Sequence, residues 1–275
     1  MDTFFFIPAS KHHKIDDILK LGVEHIIIDF EDSVLEKDRL LLFEEIKTHP
    51  LFKSFWYRIP FRSDFKDTID LTFLKLFQDN EIANFVFPKL KDLEEVISIN
   101  NFNLHKTSCI LLVEHPRLLF DLEQILRSNL DKLEITGIGL GSHDLTSVMN
   151  TLNNERVLNY PKSYLSYLSK AFGIINIDVA SMELKDFTKF SEELEIAHEF
   201  ACEAKFLIHP IQLEWMKSIS SKSQIEIEWA ETIINALPQN VNPEEIEPFV
   251  LQGKIIEKMH IINALNTLKE NKDGK

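Results

Sequence analysis

Apolar residues along this chain fall into short runs separated by amphipathic stretches. The runs are TFFFIP (3–8), HIIID (25–29), FWYRIP (55–60), NFVFPK (84–89), CILLVE (109–114), ITGIGLG (135–141), IINID (174–178) and KFLIHP (205–210). Runs this short, rich in β-branched and aromatic residues, predict strands. Between them DDILKLGV, LLLFEEIKTH, DLEEVISI, PRLLFDLEQILRS and LEIAHEFACEA carry the spacing of helices with one apolar face. Near-continuous apolar strands alternating with helices imply a parallel sheet covered on both faces. Eight such units predict a TIM (β/α)8 barrel over residues 1–220. A doubly wound sheet is the rival, but it usually has fewer strands and a glycine-rich first turn, and the first turn here, IPASKHHK, has no glycine. QIEIEWAETIINAL and EIEPFVLQGKIIEKMHIINALNTL predict a C-terminal helical extension over 221–270, packed on the barrel or on a neighbouring subunit.

Composition narrows the picture. A length of 275 residues suits one α/β barrel, and 44% hydrophobic residues, with 21 phenylalanines, can fill a large core. No apolar run approaches the ~20 residues of a membrane span. The start, MDTFFFIPASKHH, lacks the basic opening and long apolar region of a signal peptide, so a cytoplasmic protein is expected. Cys109 and Cys202 lie in apolar segments and suggest no disulfide framework. A formal charge of −14 argues against nucleic acid and anionic membranes as partners, though not against a local basic pocket for a small anion.

The strand ends carry the chemistry. Seven of them bring a polar group: Asp29, Arg58, Lys89, Glu114, Asp144 in the GSHD turn, Asp178 and His209. All strand C-termini of a TIM barrel meet at the face that holds the active site, so the acids of EHIIIDFEDSV would point into a shared cavity. Glu114 and Asp144 close neighbouring strands and can hold a hard divalent cation, with water or substrate oxygens completing its shell. Arg58 offers a planar fork suited to a carboxylate. Together they describe a site for a 2-oxo acid or its enolate. Plainer roles stay open for the same residues. Asp29, Glu31, Asp32, Glu114 and Asp144 can cap or enter the helices that follow. Arg58 can pair with Asp29, Lys89 can span the barrel mouth as an ion-pair partner, and His209 beside Pro210 can fix a turn.

FIPASKHHKIDDILKLGVEHIIIDFEDSV resembles the opening of the citrate lyase β-subunit family, also called the HpcH/HpaI aldolase and citrate lyase family, whose members begin F-V-P-G-S and continue to a strand ending D-L-E-D-[AS]-V. The likeness runs collinearly over residues 3–265 through YRIP, FPKL, VEHPRLL, GLGSHDLTSVM, INIDVAS, FLIHPIQLEWM and LQGKIIEKMHIINAL. It implies a Mg²⁺-dependent carbon–carbon lyase or aldolase. Its substrate would be a 3-hydroxy acid or its acyl-CoA thioester, of citryl, malyl or citramalyl type, handled through an enolate that the metal stabilises. By position it makes Glu114 and Asp144 the metal ligands and Arg58 a catalytic, substrate-binding arginine. Lys89 and Ser10 become substrate-binding candidates, and Asp29, Glu31 and Asp32 stand behind the metal through water. It also implies a homo-oligomer, a trimer or hexamer. The chain departs from the pattern at Ala9 for glycine, Pro60 for asparagine and His143 for the first acid of an E-D pair. Those departures leave two alternatives: a CoA-independent 2-oxo acid aldolase, or a non-catalytic relative that binds metal and oxo acid.

Overall fold

The computed structural model describes residues 1–62, 68–103, 105–152, 154–219, 224–238 and 246–273. The chain divides into two compact units, Met1–Trp215 and Met216–Lys275.

In the first unit the strands are β1 (Asp2–Pro8), β2 (His25–Asp29), β3 (Trp56–Arg58), β4 (Asn84–Phe87), β5 (Thr107–Val113), β6 (Leu133–Leu140), β7 (Ile175–Asp178) and β8 (Ala204–Leu207). They pair in sequence order, all parallel, and β8 returns to β1 to close a barrel, the TIM architecture that the sequence predicts. The helices are α1 (Ile15–Lys20), α2 (Arg39–Ile46), α3 (Thr72–Gln78), α4 (Leu93–Phe102), α5 (Pro116–Arg127), α6 (Ser142–Val148), α7 (Glu155–Phe172) and α8 (Phe187–Glu199), and α9 (Pro210–Ser218) begins in this unit and runs past its end at Trp215.

Period-two alternation sorts the side chains. Phe4, Ile27, Val86, Ile110, Leu112, Ile177, Ala204 and Phe206 fill the barrel interior. Their buried neighbours Phe5, Ile28, Tyr57, Phe85, Leu111 and Leu207 alternate with them along the strands and belong to the layer between sheet and helices. Much of the phenylalanine sits in that layer. Phe77 of α3 lies 4.8 Å from Phe43 of α2, 4.8 Å from Tyr57 and 5.4 Å from Phe30, ring centre to ring centre. On the inward side a Cβ at Gly139 would come within 2.5 Å of the Phe206 ring, so a bare backbone on β6 makes room for that ring.

Local chemistry sets the helix ends. The side chains of Asp92, Asn154 and Asp186 accept hydrogen bonds from the first-turn amides of α4, α7 and α8. Gly173, with φ of 66°, ends α7 in the left-handed conformation that glycine adopts at little cost. The helix expected over 194–204 instead begins at Phe187 behind its Asp186 cap and ends at Glu199, since Phe200–Glu203 turns into β8.

The second unit contains α10 (Gln224–Asn235), β9 (Phe249–Leu251), β10 (Lys254–Ile256) and α11 (Lys258–Asp273). The sequence predicts one helix from 245 to 268, but its first part is an antiparallel hairpin. Gln252 (φ 49°) and Gly253 (φ 77°) both take positive φ, as a tight two-residue turn between strands requires. Ala230, Ile233, Ile256, Ile261 and Ala264 form this unit's own core. No helix among the described residues is long and apolar enough to cross a membrane.

Candidate active site

The C-terminal ends of the strands open on a cavity of about 280 Å³. Its polar side comes from β2, β3, β5 and the turn after β6: Asp29, Asp32, Arg58, Glu114, Ser142, His143 and Asp144. Its other side is apolar and includes Val179, Met182, Phe206 and Ile208, and Phe6 lies under Arg58.

Arg58 is the hub of the polar side. Its Nε and Nη2 each donate to an Asp29 carboxylate oxygen at 2.7 Å, a two-pronged pairing set by the β2–β3 register that puts the two residues side by side. Nη1 lies 3.2 Å from Glu31 Oε2, and the guanidinium rests 4.9 Å from the Phe6 ring centre. Burial works against the Arg58 charge, but Asp29, with Glu31 and Glu114 behind it, more than restores it and holds the guanidinium above its ordinary range. Asp29 also accepts from the Glu31 amide and the Ser33 hydroxyl, both at 3.0 Å, so each of its oxygens serves both the arginine and the turn after β2. The structural pairing of Arg58 with Asp29 is therefore realised, while the guanidinium keeps further N–H groups beyond those given to Asp29.

Lys89 ties three strand ends together. Its Nζ reaches Glu31 at 2.9 Å and Asp32 at 2.6 Å. Its positive φ of 52° turns its amide to donate to Glu114 Oε2 at 2.5 Å. Lys89 and Glu31 stand behind the cavity lining, and Ser10 is exposed in the 3-10 segment Ala9–Lys14, also outside it.

Glu114 is 4% exposed. Burial first, and then the charge of Glu31, push its carboxyl up to about 8, against the pull of the Lys89 amide and Arg58 and with a further push from Asp144. Glu31, 6% exposed, is likewise raised, mainly by burial and against the pull of Arg58. Neither Glu114 nor Asp144 is a helix cap. His115 caps α5, and α6 has no side-chain cap. Space for the Glu114 carboxylate depends on Gly141, where a Cβ would fall 2.2 Å from Glu114 Cγ and 2.6 Å from Oε1.

These residues fit a hard divalent cation. Five carboxyl groups, Asp29, Glu31, Asp32, Glu114 and Asp144, gather around two cations among the described residues, Arg58 and Lys89. Glu31 Oε2 is buried and accepts no hydrogen bond, despite its nearness to Arg58. Among the described residues no group of three or more His, Cys, Asp or Glu side chains is arranged around one point. Of the four carboxyl groups at the cavity, Asp29 is taken up by Arg58 and Asp32 by Lys89, which leaves Glu114 and Asp144; water or substrate oxygens would supply the remaining ligands, which suits Mg²⁺ rather than zinc.

Asp178 does not join this face. It lies beside Lys205 in the β7–β8 register and forms an ion pair with it. The Lys205 ammonium, wholly buried, also donates to the Val179 carbonyl at 3.0 Å and lies over Phe190 of α8. A polar strand end can face either way, and this one faces the helix layer. His209 caps the turn into α9 by accepting from the Ile211 amide at 3.2 Å. The sequence reading missed Gln212, fully buried one turn further on. Its Nε2 donates to the Ser181 and Glu183 carbonyls, and its Oε1 accepts from the Ile208 and His209 amides, so it staples the loop after β7 to the loop after β8. A glutamine inside the otherwise apolar IHPIQL was the available signal.

Known proteins share this chain's sequence pattern and fold. A (3S)-malyl-CoA thioesterase of Cereibacter sphaeroides is 26% identical, over 97% of this chain and 93% of its own. The citrate lyase subunit beta of Leuconostoc mesenteroides subsp. cremoris is 22% identical, over 97% and 92%. The fold is shared with the solved structure of protein CitE from Mycobacterium tuberculosis in complex with magnesium, acetoacetate and coenzyme A, at 19% identity, a TM-score of 0.81 and 98% coverage of both chains. The family model for HpcH/HpaI aldolase/citrate lyase matches residues 2–210, and the chain belongs to that family.

Proposed function

We propose that this protein is a cytoplasmic, homo-oligomeric, magnesium-dependent carbon–carbon lyase. It would split or form a 3-hydroxy acid or its acyl-CoA thioester at the bond beside the hydroxyl carbon. The observation that carries this reading is the pair Glu114 and Asp144 on one cavity wall beside Arg58. Glu114 and Asp144 would hold Mg²⁺. When bound, the ion supplies Lewis acidity toward a substrate carbonyl. Arg58, fixed by Asp29 and Phe6, would direct its remaining N–H groups at the oxo-acid oxygens and stabilise charge that develops there. In the cleavage direction the 3-hydroxyl gives its proton to water and the adjacent carbon–carbon bond breaks. The electron pair moves to the carbon next to the thioester or carboxyl carbonyl, which takes a proton back from water as an oxo acid departs. The apolar side of the cavity would keep bulk water from that carbon.

A second reading, hydrolysis of the thioester, draws on the likeness to the malyl-CoA thioesterase. One experiment separates the two. The protein is incubated with Mg²⁺ and malyl-, citramalyl- or citryl-CoA while free thiol and oxo acid are followed together. Lyase action releases oxo acid and leaves the thioester intact; hydrolysis releases thiol without oxo acid. Absence of both products with every thioester and with the free hydroxy acids would remove the catalytic reading. Glu114→Gln and Asp144→Asn should each lower turnover by about a hundredfold or more. Light scattering measures whether the assembly is a trimer or hexamer.

A further inference from the structure

We infer that the oxo-acid half of the substrate carries an apolar tail, as in pyruvate and longer 2-oxoalkanoates, and not a second carboxylate. This deepens the lyase reading above and rests on it. The inference comes from the unequal sides of the cavity.

One side is already crowded with charge. Asp29, Asp32, Glu114 and Asp144 line it, and among the described lining residues Arg58 is the only lysine or arginine. Arg58 is committed to Asp29 through two hydrogen bonds and faces Glu31 with Nη1. A substrate's first carboxylate can use what remains of this guanidinium and a bound cation. A second carboxylate on that side would meet like charges.

Among the described residues the wall after β7 and β8 offers such a group no cation. Val179, Met182, Phe206 and Ile208 present carbon. Several backbone groups there are spent internally as well. The Ile208 and His209 amides donate to Gln212 Oε1, the Ser181 and Glu183 carbonyls accept from its Nε2, and the Val179 carbonyl accepts from Lys205. Gln212 and Lys205 are both fully buried, so these polar groups are held away from a ligand by the protein itself. The packing of Phe206 over Gly139 sets the ring in place from below. A carboxylate placed against this wall would lose its water and gain no partner, a cost that an alkyl tail avoids.

Isothermal titration of the whole protein saturated with Mg²⁺ tests this, using pyruvate, 2-oxopentanoate and 2-oxoglutarate. The last two share a carbon skeleton and differ in a terminal methyl against a terminal carboxylate. The expected result is that 2-oxopentanoate binds at least about tenfold more tightly than 2-oxoglutarate, with binding lost in EDTA. Equal or tighter binding of 2-oxoglutarate overturns the inference and leaves the lyase reading standing. If none of the three binds, the inference is overturned, and the lyase reading is decided separately by the product assay above. Met182→Lys adds a cation to the wall at a position 63% exposed, where the fold should tolerate it, as a thermal melt will check. It should narrow the preference by about threefold to tenfold; an unchanged ratio overturns the assignment of this wall to the tail.

Discussion

Glu114 concentrates the physical problem of this site in one side chain. Its ordinary value of 4.5 is pushed up to about 8, first by burial and then by Glu31, with Asp144 adding to the push and the Lys89 amide and Arg58 opposing it. Between about 4.5 and 8 the unfolded chain would carry this group ionised while the folded chain holds it protonated. The folded state then binds more protons, so stability falls as pH rises through that window. In EDTA the wild-type protein should therefore lose melting temperature from about pH 5 to about pH 8. Glu114→Gln should lose less over the same range, which differential scanning calorimetry will read. Added Mg²⁺ should raise the wild-type melting temperature more at the upper end, because metal binding displaces the proton, and should do little for the variant. Asp29 shows a different kind of importance. Every bond it makes serves Arg58 or the turn behind it. The strand-end position of both residues was legible in the sequence, and so was their possible pairing. What periodicity could not supply is the allotment of each oxygen to each donor, which depends on the exact β2–β3 register.

At the level of elements, the barrel was legible because each strand is a compact apolar run, and parallel strands buried on both faces leave that mark. α7 was not, since Pro161 in its interior reads as a helix breaker although the segment keeps an apolar face. The β9–β10 hairpin was hidden for the opposite reason: VLQGKIIE carries apolar residues at spacings that also suit a helix, and Gln-Gly is a weak turn signal. Asp178 shows the same limit within a strand. Its place at the end of β7 was plain, but the face it occupies depends on Lys205, a lysine inside an apolar run. That pair joins β7 and β8 beneath α8. Lys205→Met would leave a buried carboxylate unpaired, so it should cost about 3–5 kcal/mol by urea denaturation. Replacing both partners with apolar residues should recover much of that loss. The staple at Gln212 lies on the same side of the barrel and holds the following loops as one wall.

For the whole molecule the formal charge of −14 has a kinetic cost. A substrate of the proposed class is an anion, and a surface of the same sign slows its approach until salt screens the field. With Mg²⁺ held saturating, kcat/KM should rise as potassium chloride goes from about 20 to about 200 mM, since the screening length shrinks over that range. A flat or falling profile in steady-state kinetics would contradict this. Gly141 carries a consequence beyond the single chain. Alanine or serine there would thrust a methyl-sized group into the Glu114 side chain while leaving the barrel's apolar interior untouched. On the proposed magnesium reading, metal affinity can then be lost in a lineage with both acids unchanged. When genomes are sorted for active members, the residue that precedes the serine of GSHD should be read alongside the acids as a marker of a silenced copy.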